Sequence, residues 1–303
     1  MSRHLLDISG CQPRRLRALI ERGAALAAGA SCTPRRGTVA NLFFEPSTRT
    51  RVSFEMAARR IGLQVVNIDQ SGSSTSKGES LADTGRTLSA MGVEAIVLRH
   101  AENHAAAELA AALEGAPTGV INAGDGQHAH PSQALLDAVA LHRAGLGDWS
   151  RMRIAIVGDI RHSRVARSDI ALFERLGVAE LRLAGPEPFL PDAAEMPAAR
   201  RFNDIDRALD GVDAVICLRI QRERIERTGY PDGETFHRQW GLTESRAAKL
   251  APHARILHPG PVNRDVEIAA SLVDAPQSLI LEQVRAGIHL RTAVFEWLID
   301  AAD

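Results

Sequence analysis

Residues 41–62 read NLFFEPSTRTRVSFEMAARRIG, and the reading of this stretch decides how the chain is built. An apolar, strand-like run from Val39 to Phe44 stops at Glu45-Pro46; Ser47, Thr48, Arg49, Thr50 and Arg51 then lead into a segment with helical character. Pro46 cannot continue a strand ladder, Ser47 or Thr48 can cap a helix, and Met56, Ala57, Ala58 and Ile61 supply an apolar face before Gly62 ends it. Hydroxyls and a guanidinium thus gather at a helix N-terminus. The first turn of a helix has N–H groups without intrahelical partners, and the macrodipole adds about half a positive charge there. Such an end accepts an anion, and an arginine fork suits the oxygens of a phosphate. A capped surface helix with a basic first turn is the plainer alternative. The basic residues weigh against it, because the dipole disfavours cations there unless an anion is bound.

Outward from that stretch, strands and helices alternate. Gln64–Asp69 is predicted as strand, Leu81–Met91 as helix, Glu94–Leu98 as a strand ending at Arg99, Ala105–Leu113 as helix and Gly119–Asn122 as strand. This alternation implies a parallel sheet with helices on both faces. Ligands bind such sheets at the carboxyl ends of the strands, where Phe44 to Ser47, Arg99 and Ala123-Gly124 fall. Upstream, an amphipathic helix is expected between Leu6 and Ala30, opening near Ser9, with packing as its role. Ser71–Ser80 (SGSSTSKGES) is too polar to pack and reads on composition as a surface loop; its Lys77 can also close over an anionic ligand. Gly124 and Gly126 allow a tight turn before a helix that begins at Pro131 and runs through Leu141, with His130, Ser132 and Gln133 at its start. A histidine there serves either as a capping or packing group or as a ligand contact.

The pattern restarts at Met152. Met152–Asp159 (MRIAIVGD) is a buried-strand run, followed by a helix from Ser163 to Leu176, a strand Ala179–Leu183, a helix Asp204–Leu209 and a strand Ala214–Leu218 that ends at Arg219. Gly158-Asp159 before a helix lacks the GxGxxG fingerprint, which argues against a dinucleotide site. Arg222, Glu223, Arg224 and Glu226 alternate in sign and read as a solvated stretch, the plainer alternative for the Arg219 region. The last strand, Arg255–His258, opens into Pro259-Gly260-Pro261, and Ser278–Ala301 reads as one long helix.

Composition narrows the classes. With 303 residues, 45% apolar and 24% charged, the chain can bury two cores of ordinary size. A net charge of -1 provides no long-range field for nucleic acid or anionic lipid, so any anion recognition is local. No apolar run approaches the roughly 20 residues of a membrane span, and Met1 to His4 lead into amphipathic sequence; a cytoplasmic protein is expected. Cys11, Cys32 and Cys217 are scattered, which favours neither a disulfide framework nor a structural zinc. His128 and His130 raise a metal reading, but no acidic or cysteine partner lies at a ligand spacing, and none is expected.

Ser47-Thr48-Arg49-Thr50-Arg51 after Phe43-Phe44-Glu45-Pro46 resembles the carbamoyl-phosphate motif of the aspartate and ornithine carbamoyltransferases. Ser73 with Lys77-Gly78-Glu79 resembles that family's mobile loop, and His130-Pro131-Ser132-Gln133 its second signature. Gly158-Asp159 with His162 to Ser168, Arg219-Ile220-Gln221, and His258-Pro259-Gly260-Pro261 match its acceptor half. The resemblance covers nearly the whole chain. It implies an α/β fold of two doubly wound parallel-sheet domains joined by interdomain helices: residues 1–140, completed by 283–303, for carbamoyl phosphate, and 141–282 for L-aspartate. By the same resemblance Ser47, Thr48, Arg49 and Thr50 bind the phosphate, helped by Arg99 and by Lys77, which enters with Ser73 from a neighbouring subunit. Thr50, Arg99 and His130 polarise the carbonyl, and Gln133 contacts the amino group; Lys77, Arg164, Arg219 and Gln221 hold the aspartate, and the carbonyls of Pro259 and Gly260 face an ammonium or amide.

The implied reaction transfers the carbamoyl group to the α-amine of L-aspartate, the committed step of de novo pyrimidine synthesis, with no cofactor. A homotrimer with shared sites is implied, in a family whose larger assemblies include regulatory or dihydroorotase-like chains. Ornithine enzymes carry a cysteine where Ser132 stands and another in the loop after His258; this chain has neither, which favours aspartate. An ornithine or other amino-acid carbamoyltransferase, or an inactive carbamoyltransferase-like subunit, is the alternative.

Overall fold

Val39, Ala40, Leu42 and Phe43 are all buried, as is the polar Asn41 between them, the near-continuous burial that a strand covered on both faces shows. They belong to β2 in a computed structural model that describes residues 4–69, 78–220 and 232–300. The described chain forms two compact units, Met1–Val139 with Val284–Asp303, and Ala140–Gln283.

The first unit contains β1 (His4–Leu5), α1 (Pro13–Ala27), β2 (Thr38–Phe43), α2 (Thr48–Arg60), β3 (Gln64–Asp69), α3 (Leu81–Ala90), β4 (Val93–His100), α4 (Ala105–Ala112) and β5 (Gly119–Asp125). Its sheet has the order β1-β5-β4-β2-β3, every neighbouring pair parallel. Ala40, Leu42, Ile96, Leu98 and Val120 pack on Leu88 of α3 and Ala106 and Leu109 of α4 to make one core. α5 (Pro131–Arg143) carries the chain out of this unit.

The second unit contains β6 (Arg153–Val157), α6 (Arg164–Leu176), β7 (Glu180–Ala184), β8 (Arg200–Phe202), α7 (Ile205–Leu209), β9 (Ala214–Cys217), α8 (Gly233–Trp240), α9 (Glu244–Ala247) and β10 (Arg255–Leu257). Its sheet, again parallel throughout, has the order β10-β9-β6-β7-β8. Ala155, Val157, Val215, Cys217 and Ile256 form its core with Leu242 and Leu272. The last helix, α10 (Ile280–Asp300), returns the chain to the first unit, where its Glu296 takes both Nε and Nη2 of Arg22 at 2.8 and 2.9 Å.

Two expectations are corrected. The first helix begins at Pro13 with Gln12 at the cap position, and the chain before it includes β1, whose His4 and Leu5 pair with Val120 and Ile121. Two residues are too few to show a period. Met56 is 50% exposed and does not belong to the buried face of α2; Thr50, Phe54, Ala57 and Ile61 do, following the helical repeat. Beyond the expected elements, β8 and α9, of three and four residues, are too short for a periodic signal, and α8 was not anticipated.

Candidate active site

In the first sheet the chain runs from β2 outward to β3 and then crosses back, placing β4 on the other side of β2. The carboxyl ends of two strands flanking such a reversal diverge into a crevice, the usual ligand position in this class of sheet. β2 opens here into Glu45 to Ser47 and the start of α2, while β4 brings Arg99 opposite Phe43. The Phe44 N–H donates to the Arg99 carbonyl at 2.9 Å. The Arg99 side chain is 13% exposed; Nη1 donates to the Ala123 carbonyl in β5 at 3.1 Å, and Nη2 lies 3.5 Å from the Glu45 carboxylate. The guanidinium is thereby fixed across the ends of β2, β4 and β5.

Ser47 occupies the N-cap of α2 in an extended conformation, yet its side chain makes no capping bond and the first turn holds no acidic residue. Ser80, Ser163 and Thr243 do cap α3, α6 and α9 through their hydroxyls. The start of α2, the positive end of the helix with no acidic residue in its first turn, is a position that favours an anion. Ser47 is half-buried, Thr48 and Arg49 are exposed and Thr50 is buried.

The turn before α5 is organised by Asp125, which is buried and accepts from Asn122 Nδ2 at 2.8 Å, from the Ala129 N–H at 3.1 Å and from His128 Nδ1 at 3.1 Å. It delivers His130, also buried, whose carbonyl accepts the Gln133 N–H at 3.0 Å at the start of α5. Gln133 Nε2 donates to Asp137 Oδ1 at 2.8 Å. Arg291 of α10 holds both helix starts: Nη1 donates to Ser53 Oγ at 2.7 Å and Nη2 to Ser132 Oγ at 3.4 Å. Ser53 is one turn beyond Thr50 and Ser132 precedes Gln133, so Thr50, Ser132 and Gln133 come from neighbouring helix ends.

The second sheet repeats the reversal. β6 leads outward to β7 and β8, and β9 then returns to the other side of β6. Gly158, with φ +124°, ends β6 under the Leu218 carbonyl, and a Cβ on Gly185 would meet the Gly158 carbonyl at 2.5 Å. Only glycine permits that backbone approach. Arg164 starts α6 and is half-buried, with Ser163 Oγ accepting the Ala166 N–H at 3.1 Å; Arg219 follows β9 and is exposed. The Leu218 N–H donates to the Val157 carbonyl at 2.8 Å, which keeps the end of β9 beside that of β6. Burial pushes the Cys217 thiol up, so the sulfur is an inert packing group and not a nucleophile.

After β10, Pro259 and Gly260 are half-buried in a loop built on a buried pair. His258 Nδ1 accepts the Gly260 N–H at 2.8 Å, so the proton is on Nε2, which donates to Glu267 Oε1 at 2.9 Å. The same oxygen accepts the Asn263 N–H at 2.6 Å. Gly260 has φ +66°, the left-handed region.

Ser73, Lys77 and Gln221 lie outside the described residues. Among the described residues no group of three or more His, Cys, Asp or Glu side chains is gathered as a metal site, and no helix is long and apolar enough to cross a membrane. Glu45, Asp137, Glu267 and Arg291 were given no role by sequence reasoning. The Gln133–Asp137 pair carried a signal, the four-residue spacing of one helix face; Arg291, more than 150 residues from Ser132, carried none.

Two family models match the chain: the aspartate/ornithine carbamoyltransferase carbamoyl-P binding domain over residues 3–143, and the Asp/Orn binding domain of the same family over residues 150–298. The aspartate carbamoyltransferase catalytic subunit of Stenotrophomonas maltophilia is 46% identical over 304 residues, covering 98% of this chain and 96% of that protein. Among solved structures, aspartate transcarbamoylase from Trypanosoma cruzi with carbamoyl aspartate and phosphate superposes with a TM-score of 0.83 at 27% identity, over 97% of this chain and 95% of that one. The same enzyme with N-(phosphonacetyl)-L-aspartic acid gives 0.83 at 27% identity, over 97% and 94%. Matched by family models in both halves and by a relative along nearly its full length, the chain belongs to the aspartate/ornithine carbamoyltransferase family.

Proposed function

We propose that the chain is an aspartate carbamoyltransferase, moving the carbamoyl group of carbamoyl phosphate to the α-amine of L-aspartate and releasing N-carbamoyl-L-aspartate and phosphate. The observation that carries the reading is the uncapped start of α2 at the reversal of the first sheet, beside the fixed guanidinium of Arg99. Ser47, Thr48, Arg49 and Thr50 bind the phosphate there, with Arg99 and a neighbouring chain's Lys77. Thr50, Arg99 and His130 donate to the carbonyl oxygen, and Gln133 takes the amino group.

The neutral amine attacks the carbonyl carbon, forming the C–N bond. The tetrahedral intermediate places its negative charge on the oxygen faced by those donors, and losing one such donor typically costs about a hundredfold or more in rate. Collapse breaks the bond to the bridging phosphate oxygen. The departing phosphate takes the amine's proton, so no side chain is needed as general base. Positioning and electrostatics supply the catalysis.

Arg164 and Arg219, at the reversal of the second sheet, supply two cations for the two carboxylates of aspartate, with Gln221 on the amine side and the Pro259 and Gly260 carbonyls beyond. Ornithine, with one carboxylate and a second ammonium, is repelled by that pair. On this reading the first unit is the carbamoyl-phosphate domain, the second the aspartate domain, and the product enters pyrimidine synthesis. A homotrimer sharing its sites is supported by apolar surface on the first unit: Val52 and Met56 of α2 are exposed one turn apart, as is Val66 on the edge strand β3, which Asn67 ties to Glu55 of α2 at 2.9 Å.

The test is carbamoyl transfer by the purified chain, following carbamoylated product and phosphate with L-aspartate or L-ornithine. Turnover with aspartate alone is expected. Turnover with ornithine overturns the roles of Arg164 and Arg219, and silence with both, despite binding of a bisubstrate analogue, points to an inactive chain.

A further inference from the structure

Gln133 has two chemically different ends, and the structure dictates which end faces which way. Its Nε2 donates to Asp137 Oδ1 at 2.8 Å, and Asp137 is fully buried one turn along α5. An ionised carboxylate only accepts, so the amide nitrogen is committed to Asp137 and the amide oxygen Oε1 is left as the outward end. Arg291 of α10, 3% exposed and stacked over Phe54 at 4.8 Å, feels the electrostatic influence of that carboxyl. Burial pushes the Arg291 guanidinium down, to about 9, and the Asp137 charge acts in the opposite direction.

We propose that Asp137 is a positioning residue that, by holding the amide nitrogen, presents Gln133 Oε1 to the substrate, so that the site selects an acyl phosphate bearing an N–H donor. This rests on the reading above, in which Gln133 contacts the carbamoyl amino group. Carbamoyl phosphate and acetyl phosphate have nearly the same shape; they differ in an NH2 where the other has CH3. An oxygen in the pocket distinguishes them because the methyl group leaves it without a donor, whereas a reversed amide would set NH2 against NH2. Selectivity for the carbamoyl group thus depends on a carboxylate that never touches the substrate.

The test compares the KM for carbamoyl phosphate with the inhibition constants of acetyl phosphate and inorganic phosphate, in the wild type, Asp137→Asn, Gln133→Ala and the double variant. Gln133→Ala should lower the preference for carbamoyl over acetyl phosphate about tenfold, the worth of one such hydrogen bond. Asp137→Asn should lower it severalfold, since an asparagine accepts either amide orientation, and should add nothing in the Gln133→Ala background. Inhibition by inorganic phosphate should stay within about twofold throughout, because the phosphate subsite on α2 is separate. A purely structural Asp137 would lower stability and leave the preference unchanged, or lower it equally in both backgrounds, and either result overturns the proposal. If Gln133→Ala itself leaves the preference intact, the role of Gln133 fails and this inference with it. Should Asp137→Asn not fold, Asp137→Glu replaces it. The longer carboxylate still accepts but displaces the Gln133 amide, so the preference should fall severalfold, and an unchanged preference counts against the proposal.

Discussion

Arg49 is exposed at the second position of α2, so its removal takes nothing from a core. Arg49→Ala is expected to reduce kcat/KM by about a thousandfold or more, through lost charge-assisted contacts to the phosphate in ground and transition state. The urea midpoint should correspond to a change within about 0.5 kcal/mol, the range of exposed substitutions. A large stability loss would mean that the residue holds the helix and not the ligand. Arg49, Thr50 and His130 were legible in the sequence because each sits in a contiguous signature at a helix start, where the chemistry follows from helix geometry. Asp137 and Glu267 were not, although each immobilises a residue that was. Their work is done through Gln133 and His258, and although Gln133 and Asp137 share a helix face at a spacing of four, that spacing is equally common for carboxylates on a solvated surface.

Several elements matched their expected bounds closely. β3 runs from Gln64 to Asp69 as expected, and α3 and α4 differ by one residue at their ends. The face of α2 was misjudged because Met56 is apolar; exposure on that helix follows angle around the axis and not hydrophobicity. The family resemblance implied that the C-terminal helix returns to the first domain, but its anchor on α1, which joins Arg22 to Glu296, carried no signal in the sequence. That anchor makes a pH prediction. Burial pushes the Glu296 carboxyl up, but the Arg22 fork and the Thr33 N–H outweigh it and hold the group below the usual glutamate value. A carboxyl depressed in the folded state stabilises above its unfolded value, about 4.3, and that stability is lost as pH falls through the folded value. The stability difference between wild type and Glu296→Gln should therefore be constant above about pH 5 and shrink below about pH 4, as followed by urea unfolding at a series of pH values.

At the scale of the molecule, the two sheets share one plan: strand order reverses once in each, between β2 and β4 and between β6 and β9. Each reversal carries the arginines singled out from the sequence, Arg49 and Arg99 in one unit, Arg164 and Arg219 in the other. The exposed Val52, Met56 and Val66 ask for a cover, and a second copy of the chain provides it in the trimer proposed above. Light scattering after gel filtration should give three chain masses for the wild type and a single chain mass for Met56→Glu/Val66→Glu. The monomeric variant should also lose turnover, since Lys77 would no longer enter from a neighbour. A trimer that survives both charges would place the interface elsewhere.

The sequence by itself determined the α/β class, the anion-ready start of α2 and the family, because these depend on local order: which residue precedes a proline, which follows a strand, which lies in a first turn. Only the tertiary structure decided strand order, the true buried face of α2 and the groups that hold the site in place. A parallel sheet pairs strands distant in the chain, and its order is fixed by which faces cover one another. In the same way Arg291 reaches Ser53 and Ser132 only because α10 packs back where the chain began. Recognition of the substrate is local chemistry, and its precision comes from contacts that the linear order does not contain.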